Sequence, residues 1–263
     1  MTTLDVRQHG QPYDAPPSGP LWSRYKHAHH YRSAEEEFDA VKLGMWLFLA
    51  TEVLLFAGLF CAYAVFRMLY PQAFYNGSHY LDWKWGGFNT VILLISSYTM
   101  AMSIRNCQRG EFRRMRLNLA FTIFCGALFV LIKLVFEYTP KWSGYFFVLD
   151  PALHHYTDSG KTALLGLFHY VDGYGGKRPG MWFNYAFASD PYEPLWWGVY
   201  YSATSIHALH VLIGMTLIGR VLLRSFKGHY GPSHYTAVEI SGLYWHLVDL
   251  IWIFLFPLLY LIH

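Results

Sequence analysis

The sequence predicts an all-α polytopic membrane protein with five transmembrane helices, and three observations carry that reading. The apolar residues fall in five blocks, each long enough to cross or nearly cross a bilayer. Charged residues make up only 14% of the chain, where a soluble domain carries roughly 25%. Lys and Arg collect in three segments outside these blocks, and the three share one side of a membrane when the count of spans is five.

The blocks run over 41–67, 88–104, 115–137, 197–222 and 239–262. A helix rises about 1.5 Å per residue, and the hydrocarbon core is about 30 Å thick. The first block is long and is expected to tilt; the second is the shortest. The basic segments are the tail before the first block (Arg7, Arg24, Lys26, Arg32), the connection 105–116 (Arg105, Arg109, Arg113, Arg114, Arg116) and the hinge with Arg220, Arg224 and Lys227. The positive-inside rule makes that side cytoplasmic. The N-terminus is then inside and the C-terminus, His263, outside. Residues 1–40 form a polar cytoplasmic tail with Pro12, Pro16, Pro17 and Pro20 and the acidic run Glu35–Glu37. They hold no apolar h-region, so the first span is expected to act as the insertion signal. Residues 41–263 form the membrane domain. Its longest connection, 138–196, lies on the outer side and contains Gly173, Gly175, Gly176 and Gly180. A structureless loop of that length is uncommon, so short helices or turns are expected there.

Composition excludes several classes. A net charge of +3 is too small to argue for nucleic acid. Cys61, Cys107 and Cys125 form no CxxC or CxxxC pair, so no thiolate cluster for zinc, iron–sulfur or dinuclear copper is expected. Cys61 and Cys125 read as small packing residues. The tract Lys26–His30, with three histidines, reads as a solvated tail segment.

Polar residues inside the blocks carry the functional information, because a mid-bilayer carboxylate costs about 2.5–3.5 kcal/mol on insertion scales. Glu52 sits in LFLATEVLLF with no basic residue within a turn. It is either protonated or hydrogen-bonded to another helix. Proton handling, a lipid-facing acid and a structural interhelical bond all remain open for it. Gly58 and Ala62 follow with small-xxx-small spacing, which favours close helix packing. Lys133 and Glu137 stand four apart and share a face, so they are expected to pair, with Lys133 snorkelling outward. His207, His210 and Gly214 form one stripe of the fourth span. Glu239, His246 and Asp249 recur along one face of the fifth. Histidine and carboxylate on paired helices are also the ingredients of di-iron and haem sites, but no Glu-x-x-His occurs. An interhelical hydrogen-bond network of His207, His210, Glu239, His246 and Asp249 is the favoured reading, with no metal and no catalytic residue.

Two motifs then resemble a known family. HALHVLIG, with His207, His210 and Gly214, and YWHLVDLIWIFLFPLLY, from Tyr244 to Tyr260, are similar to the C-terminal third of subunit III of the haem–copper respiratory oxidases. GMWLFLATEVLLFAGLF resembles that family's glutamate-bearing helix and places Glu52 on the glutamate. Asn89-Thr90 and Glu137-Tyr138 resemble its NT and EY pairs. The resemblance covers about 40–138 and 197–262. It implies a non-redox subunit of a proton-pumping oxygen reductase in a bacterial inner membrane. Haem and copper would sit in partner subunits, with none in this chain. Subunit I would be the direct neighbour, with subunit II and other oxidase subunits in the complex. Phospholipid would be bound, with Arg224 at a headgroup. The common form has seven helices, and the first two have no counterpart here. The loop 138–196 is also unlike the family's usual form, and cytochrome c or another respiratory complex is a candidate partner for it. A quinol oxidase, or a companion of nitric oxide reductase, is the nearest alternative. A transporter or a haem-binding membrane anchor is the alternative from another class.

Overall fold

The computed structural model describes residues 20–25, 28–143, 145–147, 158–171 and 190–262. Expectations resting on Arg7, Lys26, His27, the loop glycines 173–180 and His263 lie outside the described residues.

Hydropathy places five helices in the membrane. They are α1 (Ala34–Leu69), α3 (Trp83–Gln108), α4 with its extension (Phe112–Ser143), α6 (Glu193–Phe226) and α7 (Thr236–Tyr260). The first four run past both ends of the blocks read from sequence, and α7 starts before its block and ends just short of 262. α1 has 36 residues, about 54 Å of helix at 1.5 Å per residue, so its acidic first turn extends beyond the hydrocarbon. Local chemistry sets its start. The Ser33 hydroxyl accepts from Glu36 N at 3.1 Å, and the Glu36 carboxylate accepts from Arg32 N at 2.8 Å. Glu35, Glu36 and Glu37 then face the positive end of the helix dipole. A short helix, α2 (Pro71–Ser78), follows with proline at its start. Asp82 caps α3 through Lys84 N, and Gly110, at φ +76°, supplies the left-handed turn into α4.

α4 (Phe112–Ile132) does not stop where its α-hydrogen bonds do. It widens into a π segment at Lys133–Tyr138 and closes with α5 (Thr139–Ser143). The connection between α5 and α6 then adds a sheet of β1 (Tyr145–Phe147), β2 (Asp158–Ala163) and β3 (Phe168–Val171), antiparallel in the order β1-β3-β2. The sequence reading expected short helices or turns here. Alternation is too short-lived in these strands to signal a sheet, and a sheet needs its third strand before it is stable. Phe147 meets Phe136 at 5.5 Å, and Phe136 stacks on Trp85 at 4.0 Å, so the sheet rests on the outer ends of α3 and α4.

The packed interior lies among α3, α4, α6 and α7. Trp196, Trp197, Trp245, Trp252, Tyr200 and Phe129 are fully buried there. The indole of Trp245 fits because two helices present no side chain to it. A Cβ on Gly126 or Gly214 would stand 2.7 or 2.8 Å from that ring. α1 is different: only Leu49, Phe56 and Tyr63 are buried, one every seven residues. Gly58, read as a packing residue, is exposed, and Cys61 points outward as well; of the two membrane cysteines read as packing residues, only Cys125 is buried. Small size allows close approach but does not say from which side a neighbour comes.

The three basic segments meet at one end of the bundle. Arg116 donates to Ser225 O at 2.8 Å, and Trp22 N donates to Gly228 O at 3.0 Å. Gly126→Val is expected to destabilise the protein by about 1–3 kcal/mol through overpacking against Trp245. Gly58→Ala, with nothing within 4 Å of the added methyl, should leave stability unchanged. Thermal unfolding of the two variants in mild detergent checks this; equal losses would contradict it.

Candidate functional site

Two polar clusters lie within the bundle. The first joins α1 to α6. His210 Nε2 stands 2.8 Å from Glu52 Oε2, and His210 Nδ1 stands 2.7 Å from Ile206 O. A carbonyl oxygen can only accept, so Nδ1 carries a hydrogen. Nε2 therefore either accepts from a protonated Glu52 or donates, as imidazolium, to a carboxylate. One proton is shared either way, and the pair has no net charge. That suits groups whose side chains are only 17% and 11% exposed. Phe56 packs against the imidazole at 5.3 Å, and Tyr244 OH reaches His210 O at 3.4 Å. Of the states open to Glu52, the structure shows the bond to another helix.

The second cluster is built by the π segment. Lys133 Nζ donates to Glu137 Oε2 and to Tyr260 OH, and Tyr260 OH donates to the same carboxylate oxygen. Tyr200 OH donates to Glu137 Oε2 at 2.9 Å. Three helical segments thus converge on one oxygen. Tyr138 OH donates to Thr204 Oγ1 at 2.6 Å, and Thr204 Oγ1 donates to Tyr200 O at 2.7 Å, which ties the π segment to α6 a second time. Lys141 Nζ donates to Glu137 O at 3.0 Å. The pairing of Lys133 with Glu137 follows from their spacing, but the snorkelling does not occur. Both side chains are at most 3% exposed, and the Lys133 ammonium lies 4.9 Å from the Trp252 ring centroid. The aromatic wall and the carboxylate hold the cation inside, so it has no reason to reach water.

The network expected on α6 and α7 is divided instead of continuous. Glu239 pairs with Lys42 of α1 at 2.7 Å. His246 Nδ1 is 2.7 Å from Ser97 Oγ of α3. His207 is fully buried between Phe129 and Trp252, with neither ring nitrogen hydrogen-bonded to protein. Both Asp249 oxygens likewise lack a bond of good geometry, although Ser97 stands beside them. The stripe on α7 is real, but Glu239 and Asp249 are about 15 Å apart along the axis. Each residue therefore meets a different neighbour. Among the described residues no group of three or more His, Cys, Asp or Glu converges as a metal site. Arg224 is exposed in the last turn of α6. Burial pushes the phenol of Tyr230 up, and Arg224 beside it opposes that shift.

Sequence reasoning missed Tyr200, Tyr260, Ser97 and Lys42. Tyr200 lies seven residues before His207 on the same stripe, which was a usable signal. Nothing local marks Lys42 as the partner of Glu239.

Fold and clusters define a five-span helical membrane protein in which Glu52–His210, Lys42–Glu239 and Ser97–His246 are polar pairs between helices, and Glu137 gathers Lys133, Tyr200 and Tyr260. Residues 184–263 match the family model for cytochrome c oxidase subunit III. The chain is 31% identical over 230 residues to cytochrome c oxidase subunit 3 of Thermostichus vulcanus, covering 87% of this chain and 90% of that one. It is 28% identical to the same subunit of Corynebacterium diphtheriae, over 85% of this chain and 89% of the relative. The identity is 27% with that of Oryctolagus cuniculus, over 84% and 69%. The chain belongs to the cytochrome c oxidase subunit III family. It is a multi-pass membrane protein, and its bacterial relatives point to the plasma membrane.

Lys133→Met is expected to destabilise by about 3–5 kcal/mol, because it leaves Glu137 buried without its cation. Lys133→Met with Glu137→Leu should recover much of that loss. Denaturant titration of singles and double in mild detergent measures the coupling, and purely additive losses would contradict it. A hydrophobic carbodiimide, which attacks a protonated carboxyl, is expected to modify Glu52, read by peptide mass. Glu52→Gln, which can still hydrogen-bond His210, should leave assembly intact. Labelling confined to Glu35–Glu37 would place the shared proton on the imidazole.

Proposed function

We propose that this chain acts as the non-redox subunit III of a proton-pumping haem–copper terminal oxidase, seated directly against subunit I. The observation that carries this reading is the relationship to cytochrome c oxidase subunit 3 along 90% of a relative's length. His210 supports the non-redox part, because Glu52 and Ile206 occupy both of its ring nitrogens. Haem and copper then belong to partner subunits, where they carry out oxygen reduction with cytochrome c as the complex's donor. This chain's own polar groups hold its helices in place, with Glu52 and His210 joining α1 to α6.

The orientation follows from the basic end of the bundle. Arg105, Arg109, Arg113, Arg114, Arg220, Arg224 and Lys227 gather there, and anionic phospholipid on the cytoplasmic side is their natural counterion. The N-terminus is inside, and the outer sheet faces the periplasm. Arg224, exposed at a helix end, suits a lipid phosphate. The sheet and the rest of 138–196 suit contact with the donor or another respiratory complex.

The test is a haem assay on tagged protein purified in mild detergent, before and after dissociation. Haem in the assembly and none on the separated chain is the expected outcome. Haem that stays with the chain would make its histidines ligands and overturn the proposal.

A further inference from the structure

Most hydroxyls on the lipid-facing surface satisfy themselves. Thr216 donates to Leu212 O, and Thr51 donates to Phe48 O. The outward surface of α1 offers apolar side chains such as Leu47, Leu54 and Val65. The face formed by α3 and α7 differs. His246 is half-buried near the middle of α7 and uses Nδ1 on Ser97. Its Nε2 makes no hydrogen bond within the chain. Tyr98, one residue beyond Ser97 near the middle of α3, is 65% exposed and leaves its phenol unbonded. Leu94 lies one turn before Tyr98 on α3, Leu250 and Ile253 lie one and two turns after His246 on α7, and all three are exposed.

Hydrocarbon has no hydrogen-bond acceptor, so a surface that turns an imidazole and a phenol outward at mid-bilayer depth is poorly matched to lipid tails. Water and headgroups lie about 15 Å away on either side. Both groups sit on short side chains that cannot reach them. The Ser97–His246 bond also locks the imidazole plane, which fixes the direction in which Nε2 points. Ser97 either donates its hydroxyl hydrogen to Nδ1, leaving Nε2 an N–H donor, or accepts from Nδ1–H, leaving Nε2 an acceptor. The complement is a helix carrying a hydrogen-bonding side chain at the same depth, flanked by apolar or small residues that pack on Leu94, Leu250 and Ile253.

We infer that the α3/α7 face, centred on His246 and Tyr98, is the docking surface for a transmembrane helix of the oxidase core that presents a hydrogen-bonding side chain at mid-membrane. The inference rests on the oxidase-subunit reading and adds the face through which the chain attaches. The α1 face and the outward side of α6 are left to lipid.

A photo-crosslinking amino acid placed at Leu94 or Leu250, and as controls at Leu47 of α1 and Leu212 of α6, tests it in the assembled complex. Irradiation followed by mass spectrometry should give adducts to a haem-bearing subunit from Leu94 and Leu250, with lipid adducts alone from Leu47 and Leu212. His246→Phe should lower the amount of chain retained on the haem-bearing complex several-fold, while His246→Gln, whose amide offers both a donor and an acceptor, should retain most of it. Membrane levels of the chain should be equal for both. Lipid adducts or self-adducts from Leu94 and Leu250, with core adducts from Leu47 or Leu212, would overturn the inference while leaving the subunit assignment standing. A chain that never copurifies with haem would instead remove the assignment itself.

Discussion

The hydrocarbon core supplies no hydrogen bonds, and most of what is distinctive in this molecule answers that constraint. Five helices satisfy their own backbones. The side chains are the harder problem, since the membrane domain carries four acids and two lysines at or within its spans, at Glu52, Glu137, Glu239, Asp249, Lys42 and Lys133. Helix α1 shows how the solution shapes the fold. It buries only Leu49, Phe56 and Tyr63 among its 36 residues and would be weakly held by packing alone. Polar contacts pin it at three heights: Lys42 to Glu239 near the inner end, Glu52 to His210 in the middle, and Tyr63 OH to Leu258 O, at 2.5 Å, near the outer end. A helix held this way has a fixed register along its length while one side stays open.

The outer cluster works on the same principle at higher stakes. A buried ion pair is weak evidence of stability, because desolvation can exceed the attraction gained. Its better-supported role is specificity. Lys133 and Glu137 lie on the extension of α4, Tyr200 on α6 and Tyr260 on α7, and all meet at one carboxylate oxygen. Sliding any helix by a single residue, about 1.5 Å, would break the convergence. The π segment contributes by changing the angular step of the chain where Lys133 and Glu137 must both face inward. Such segments are frequent at functional positions.

Sequence legibility follows the range of each interaction. Spans, the basic end and the Lys133–Glu137 pair depend on residues within a few turns of one another, and periodicity reveals them. Glu52 and His210 are separated by 158 positions, and Lys42 and Glu239 by 197. Each face was legible, but its neighbour was not. The single network expected across α6 and α7 divided for this reason: a stripe states direction around the axis, and height along it decides the partner. The outer sheet was illegible for another reason, since its strands have three to six residues and are paired across a long connection. Motif resemblance reached further than spacing did. It placed Glu52 on a helix of known type, yet it gave no indication of the imidazole opposite.

The degree of enclosure separates the polar groups by what they can do. The Lys133–Glu137 pair is enclosed by Tyr200, Tyr260 and Trp252, with both side chains at most 3% exposed. Glu52 and His210 keep partial exposure at the open side of α1. Each pair joins opposite partners without leaving an isolated charge in a low-dielectric setting. They differ in access: a reagent dissolved in the membrane reaches Glu52 with every helix in place, whereas Glu137 is reached only when a helix moves.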